Sequence, residues 1–228
     1  GDSGTGFNNN TSRNIGNGEQ SLPDWLGMSN YYDMLANHAD GNYRDLLGDV
    51  TFHECMGVYL SAYRNRKADL AKGRWPDENY AREIMELFCL GEGNYTERDI
   101  QEHARCFTGW EVRRKNFRFN RYQHDTGTKT ILGKTGEFSG EAGVDIVLKQ
   151  EALQRFIARK LIRFFVFDEP TAPEQLVEPL AKLLRQSGLR IAPVVERILA
   201  SNIFYSPFSV GRKVRSPVEL GIGLLRCL

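Results

Sequence analysis

Apolar residues recur along this chain mostly at three- and four-residue spacing, and that period predicts a mainly helical fold. The first 21 residues are the exception. Rich in Gly, Asn and Ser with almost nothing apolar, they cannot offset the entropy of ordering by burial, and they read as a tail or loop. Over residues 25–38, Leu26, Met28, Tyr31, Tyr32, Met34 and Leu35 approximate helical spacing, and Asp40-Gly41 ends the segment. A short helix over 43–47 is expected next. Thr51 with Glu54 three residues on is a capping-box pattern and predicts a helix over 52–63. A basic loop follows, carrying Arg64, Arg66, Lys67, Lys72 and Arg74, and it ends at Trp75-Pro76, where proline suits a first helical turn. The helix predicted over 77–90 lines Tyr80, Ile84, Leu87 and Phe88 on one stripe and stops at Gly91. Thr96 and Asp99 cap another that turns Ile100, Ala104 and Phe107 inward and ends near Gly109, so the two form a helical hairpin.

Between Trp110 and Gly143 the period changes. Phe117 and Phe119 alternate with polar neighbours, and Thr128 to Leu132 is β-prone and flanked by glycine, which predicts a small β-hairpin excursion around residues 112–133. Helical signals return over 144–149, 151–167, 173–186 (closed by Gly188), 193–201 and from Pro217 onward. The run Leu161 to Phe167, broken only by Arg163, is the expected centre of the core. The expectation is one mainly α, irregular multi-helix domain over residues 22–228, without internal repeats.

Composition narrows the class. Hydrophobic residues make up 41% and charged residues 26%, an ordinary globular balance. Thirty basic against twenty-nine acidic residues leave a net charge of +1, so no global field holds nucleic acid or an anionic membrane. No apolar run approaches the roughly 18 residues of a transmembrane helix. The chain opens on Gly1 without a charged-then-apolar leader, which suggests a mature or partial chain. Cys55, Cys89, Cys106 and Cys227 form no C-x-x-C pair and read as buried thiols, and their even number leaves one disulfide open, Cys89 to Cys106 between consecutive helices.

The densest polar cluster runs from Pro76 to Phe88. Glu78, Arg82 and Glu86 fall on one helical face and permit a carboxylate–guanidinium–carboxylate ladder, for which an ion-pair face is the ordinary explanation. Asn79 and Glu83 form a second polar face, from which a carboxylate can act as acid, base or metal ligand. Asp99 and His103, four residues apart, can present a carboxylate and an imidazole to one metal ion, with Glu83 or Glu86 joining across the hairpin. The plainer role of His103 is a capped or partly exposed helix residue. His124-Asp125, followed by Gly127, can place a His–carboxylate pair at a cleft mouth. His38 and His53 fall near helix ends, where a helix-terminus role is the default. Arg113, Arg114, Lys115, Arg118 and Arg121 interleave with Phe117, Phe119 and Tyr122, a combination that stacks on bases or sugars. A charged edge strand with Phe117 and Phe119 pointing inward explains the same pattern. The phosphate-binding, dinucleotide, zinc-protease and serine-elbow motifs are all missing from the sequence, so no nucleic-acid partner and no cofactor are expected, with a divalent metal left open.

Taken in order, Gly41-Asn42-Tyr43-Arg44-Asp45-Leu46-Leu47, the run PDENYAREIMELF from Pro76 to Phe88, GNYTERDI from Gly93 to Ile100, Phe107-Thr108-Gly109-Trp110, His124-Asp125 and Ser216-Pro217-Val218-Glu219-Leu220 form a distinctive series. It resembles the large bacterial family known as domain of unknown function 1800, from about Tyr31 to the last residue. The resemblance implies an exported protein, periplasmic or extracellular, and a longer family domain of which this chain is the C-terminal half. Members are often encoded beside a second uncharacterised family similar to sulfatases and alkaline phosphatases, which makes such a protein a candidate partner. The family offers no agreed catalytic residues. Its signature positions Asn79, Arg82, Glu83, Trp110, His124 and Asp125 carry over as candidates alone.

These readings favour an accessory or binding domain of an exported bacterial protein, engaging a partner protein or polymer at the cell envelope, with Asn79, Arg82, Trp110 and Arg118 as binding candidates. The alternative is a hydrolase of an envelope sugar or ester, with Glu83, His103, His124 and Asp125 as catalytic candidates and a metal at Asp99 and His103. An enzyme brings several such groups into one concavity, whereas an accessory domain leaves them in separate ion pairs.

Overall fold

The computed structural model describes residues 24–113, 116–168 and 172–227, with backbone alone for 24–26, 112, 113, 116 and 117. The expected tail over 1–21 lies outside the described residues. The chain divides into two compact units, residues 1–153 and 154–228.

The first unit opens with α1 (Asp24–Asn37), α2 (Tyr43–Phe52) and α3 (Glu54–Tyr59). The Asn42 side chain caps α2 by accepting from the Arg44 amide, and the helix runs past the expected 43–47. Thr51 does not start a new helix. It is buried inside α2 and its hydroxyl donates to the Leu47 carbonyl, the local bond a buried threonine makes when no water is available. His53 takes the capping role instead, extended at φ −74° and ψ 133°, with Nδ1 accepting from the Cys55 amide at 3.2 Å. The single helix expected over 52–63 is therefore split, and a 3₁₀ turn at Ala62–Arg64 completes it.

α4 (Asn79–Glu83) widens at once into a π-helix, Ile84–Cys89. The amides of Leu90 and Gly91 both converge on the Met85 carbonyl, at 2.7 and 3.1 Å. The wider turn changes which side chains face inward: Tyr80, Ile84, Met85 and Cys89 are buried, while Leu87, expected on the core stripe, is exposed. α5 (Glu97–Cys106) starts with the predicted Thr96–Asp99 capping box and packs on α4, completing the expected hairpin. α6 (Gly140–Leu148) lies against α5 and the π-helix.

The β-excursion is two antiparallel hairpins. β1 (Trp110–Arg113) pairs with β2 (Asn116–Phe119), Trp110 opposite Phe119, and β3 (Lys129–Ile131) pairs with β4 (Lys134–Gly136). β3 packs on α5. Phe119, expected inward, is half exposed, because Trp110 already fills the space beneath the hairpin: its ring meets Phe52, Phe107 and Tyr80 at centroid distances of 5.0, 4.9 and 6.2 Å. The inward reading of Phe117 lies outside the described side chains.

The second unit begins within α7 (Glu151–Phe165) and continues with α8 (Glu174–Gln186), α9 (Ala192–Leu199) and α10 (Pro217–Cys227). These match the predicted spans to within a residue or two, apart from the last turn expected of α7, and Gly188 follows α8 at φ +65°. Val177, Ala181 and Leu184 of α8 and Val194 and Ile198 of α9 are buried where the two helices pack. The run Leu161 to Phe167 is only partly core: Ile162, Val166 and Phe167 are buried, but Phe164 is exposed, since a helix cannot turn seven consecutive residues inward. No described helix is long and apolar enough to cross a membrane. All four cysteines are free thiols; Cys89 and Cys106 are buried, Cys55 is partly covered and Cys227 is exposed.

Candidate functional site

α5 carries much of the candidate chemistry, and its two faces treat charge differently. On the inner face His103 is completely buried. Its ring stands 4.7 Å from that of Phe107, and neither nitrogen finds a partner at hydrogen-bonding geometry. Burial lowers its pKa to about 3; the Ala81 carbonyl dipole and the Asp99 charge favour protonation without prevailing. His103 is therefore a neutral core histidine, not the capped or partly exposed helix residue of the plainer sequence reading. Asp99 turns back to the helix start, accepting from the Thr96 hydroxyl at 2.6 Å and the Leu132 amide at 2.7 Å. Burial works to raise its pKa, but these hydrogen bonds hold it below the usual carboxylate range.

On the outer face Arg105 organises the neighbouring loop. Its guanidinium grips Asp125 through Nε (2.7 Å) and Nη2 (3.1 Å), while Nη1 donates to Glu102 at 2.8 Å and to the Thr128 carbonyl at 3.0 Å. Burial pushes the Asp125 carboxyl up, and Arg105 together with the Gly127 amide brings it below its ordinary value. Lys129, 1% exposed, donates from Nζ to the carbonyls of Asp125 and Gly127 at 2.6 and 3.1 Å. The buried Thr108 hydroxyl donates to the Arg105 carbonyl and accepts from the Asp125 amide, at 2.7 and 2.8 Å. His124 donates from Nδ1 to the Thr108 carbonyl at 2.8 Å. The His124–Asp125 pair is thus adjacent in sequence but serves two different partners. Arg105, Thr108 and Lys129 are the residues that sequence reading missed. Thr108 lay inside the FTGW motif, and nothing in the sequence marked the other two.

Gly109 makes this junction possible. It sits at φ +85°, and a Cβ there would lie 2.5 Å from the Asn120 carbonyl. The glycine of the FTGW motif is a steric requirement.

The α4 candidates form a separate network. Arg82 holds Glu97 by two hydrogen bonds of 2.8 and 2.9 Å and Glu78 by one of 3.2 Å, and the Glu97 contact above all raises its pKa. The ladder therefore runs from Glu78 through Arg82 to Glu97, while Glu86 accepts from the Tyr95 hydroxyl at 3.1 Å. Asn79 is exposed and donates to the Leu60 carbonyl at 3.2 Å. Glu83 is half-buried and makes no ion pair among the described residues. Trp110 belongs to the aromatic core. Arg118 is exposed on β2. Among the described residues no three His, Cys, Asp or Glu side chains are grouped to hold a metal ion. His38 and His53 both lie near helix ends as expected, but only His53 serves one, as the cap of α3; His38, beyond the end of α1, meets the Asp49 side chain within α2 at 2.7 Å.

No curated protein and no solved structure matches this chain. A family model described as a protein of unknown function, DUF1800, matches residues 11–228, and the chain belongs to that family.

Proposed function

We propose that this chain is an accessory or binding domain of an exported bacterial protein, working at the cell envelope without turning over a substrate. One observation carries the reading: most of the candidate acid–base and metal groups are engaged by structural partners rather than facing one another. His103 is sealed in the core, Asp99 is turned to the start of α5, Asp125 is held by Arg105 and His124 by the Thr108 carbonyl, while Arg82 of the binding set is neutralised by Glu97 and Glu78. A side chain so engaged must give up its partner before it can serve as acid, base or metal ligand. The envelope setting rests on the family resemblance, and so does the suggestion of a sulfatase-like or alkaline-phosphatase-like partner.

The test is elemental analysis of the purified protein after dialysis, with and without prior exposure to Zn²⁺ and Mn²⁺, alongside turnover of aryl esters and aryl glycosides. The expected result is no stoichiometric metal and no turnover above buffer. Stoichiometric metal with metal-dependent turnover overturns the reading in favour of a hydrolase.

A further inference from the structure

Two basic, aromatic segments far apart in sequence form one surface. Asn65, 1% exposed, staples the loop after the 3₁₀ turn: its Nδ2 donates to the Ala104 carbonyl at 2.8 Å, its Oδ1 accepts from the Asp77 amide at 3.0 Å, and its carbonyl accepts from the Gly109 amide at 2.9 Å. Two residues on, the Lys67 amide donates to the Gln123 carbonyl at 2.9 Å, joining the loop to the chain leaving β2. The loop contributes Arg64, Arg66 and Lys67, and the strand end contributes Arg118 and Arg121, all exposed. None of these five makes an ion pair among the described residues. Of the nearby carboxylates, Asp69 pairs with Lys72 and Arg74, while Glu111, opposite Arg118 in the hairpin, accepts from the neutral Asn120 amide.

The same two stretches of chain carry exposed rings. Trp75 is 69% exposed, Tyr122 71% and Phe119 50%. Arg121 lies over the Tyr122 ring at 4.9 Å and donates to its hydroxyl, so that pair already presents a flat ring with a guanidinium beside it. Unpaired like charges repel and exposed rings gain nothing in water, so the combination fits a ligand that supplies both acid groups and stackable faces. Guanidinium forks match carboxylate and sulfate geometry.

We propose that this surface binds an acidic polysaccharide, its acid groups on the arginines and its sugar rings on Trp75 and Tyr122. The proposal rests on the envelope-binding reading and names the ligand class for it. A polymer of sugar acids is favoured over nucleic acid because about one acid group per ring can be met by a few spaced cations, whereas a duplex presents a charge about every 1.7 Å of its axis, more than a chain of net charge +1 answers.

The test uses the whole chain. Tryptophan emission and direct binding are followed with polygalacturonate, dextran sulfate, neutral dextran, a thymidine oligonucleotide and phosphatidylglycerol vesicles at matched salt. Expected is saturable binding of polygalacturonate or dextran sulfate, weakening as salt rises, with neutral dextran silent; the ratio of the two tells carboxylate from sulfate recognition. Arg66→Glu and Arg121→Glu, one on each segment, should each weaken binding by about tenfold. Trp75→Ala should abolish most of the emission change and weaken binding by about threefold while leaving the salt dependence intact. Circular dichroism confirms that these exposed-site variants stay folded. Binding that is unchanged in the two arginine variants overturns the proposal, as does no binding of either acidic polymer. Tighter binding of the oligonucleotide or of the vesicles also overturns it, in favour of a nucleic-acid or membrane surface. None of these outcomes alters the metal and turnover results, so the two readings fail separately.

Discussion

Gly143 of α6 is the residue against which the His103 ring packs: a Cβ at position 143 would lie 2.9 Å from His103 Cδ2 and 3.0 Å from Nε2. The neighbouring Cys106 Cβ would be 3.3 Å away, so there is no room on the other side. Gly143→Ala should destabilise the protein by about 1–3 kcal/mol through overpacking, read by urea unfolding. In a His103→Ala background the same change should cost much less. Equal costs in both backgrounds would show that the ring is not what occupies the space.

The buried imidazole also sets a pH dependence. Its folded pKa of about 3 lies below the ordinary value of 6.5, so the folded state binds fewer protons than the unfolded chain between those limits. Stability is therefore undiminished above about pH 6.5 and is lost as pH falls from there toward 3, by up to about 1.4 kcal/mol per pH unit. Urea unfolding at pH 7 and pH 5 measures it. His103→Leu should flatten that slope by a like amount, and an unchanged slope would assign the effect to the other histidines.

Asp125 behaves in the corresponding way at lower pH. Its folded pKa lies below that of an unfolded aspartate, so its contribution is present above about pH 4 and fades as pH falls through the folded value. Asp125→Ala leaves Arg105, a quarter exposed, without its bidentate partner and should cost about 2 kcal/mol at pH 7. A double-mutant cycle with Arg105→Ala should show coupling, and additive losses would dismiss the pair as a structural element.

Asn65→Ala removes the staple between the basic loop and the α5–β1 junction. Thermal or urea unfolding should register a loss of about 1–2 kcal/mol, because the half-buried Asp77 amide loses its acceptor and the Ala104 carbonyl keeps only the Phe107 amide. Hydrogen exchange at the Lys67 amide should quicken at the same time, since its bond to Gln123 depends on that anchorage. An amide as protected as in the parent chain would place the anchor elsewhere.

Where a feature depended on neighbours along the chain, it was legible in the residues. The Thr96–Asp99 box, the α8 end at Gly188 and the mainly helical class follow from side-chain oxygens reaching nearby amides, from glycine at positive φ and from a repeating apolar stripe. Thr51 shows where local reading stops. Its spacing to Glu54 satisfies the capping pattern, yet burial in α2 sends its hydroxyl to Leu47, and His53 caps α3. The π-turn after Glu83 was equally hidden, and with it the exposure of Leu87, because a widened turn answers to packing against α5 and α6 and leaves no periodic mark.

The candidate site divides along the same line. Asp99 and His103 were visible as a pair because four residues separate them on a helix, but only the packing of α4, α5 and α6 decided that the imidazole is sealed in and the carboxylate turned away. Arg105 meets Asp125 across twenty residues, and Lys129, whose own hydrogen bonds reach back only two and four residues, is buried by β3 folding onto α5, neither of which a local motif encodes. By itself the sequence determined the helical class, the Thr96–Asp99 cap and the family; tertiary structure decided which charges meet, and it joined the loop at Arg66 to the strand end at Arg121, because edge-to-edge pairing of distant segments depends on the packing beneath them.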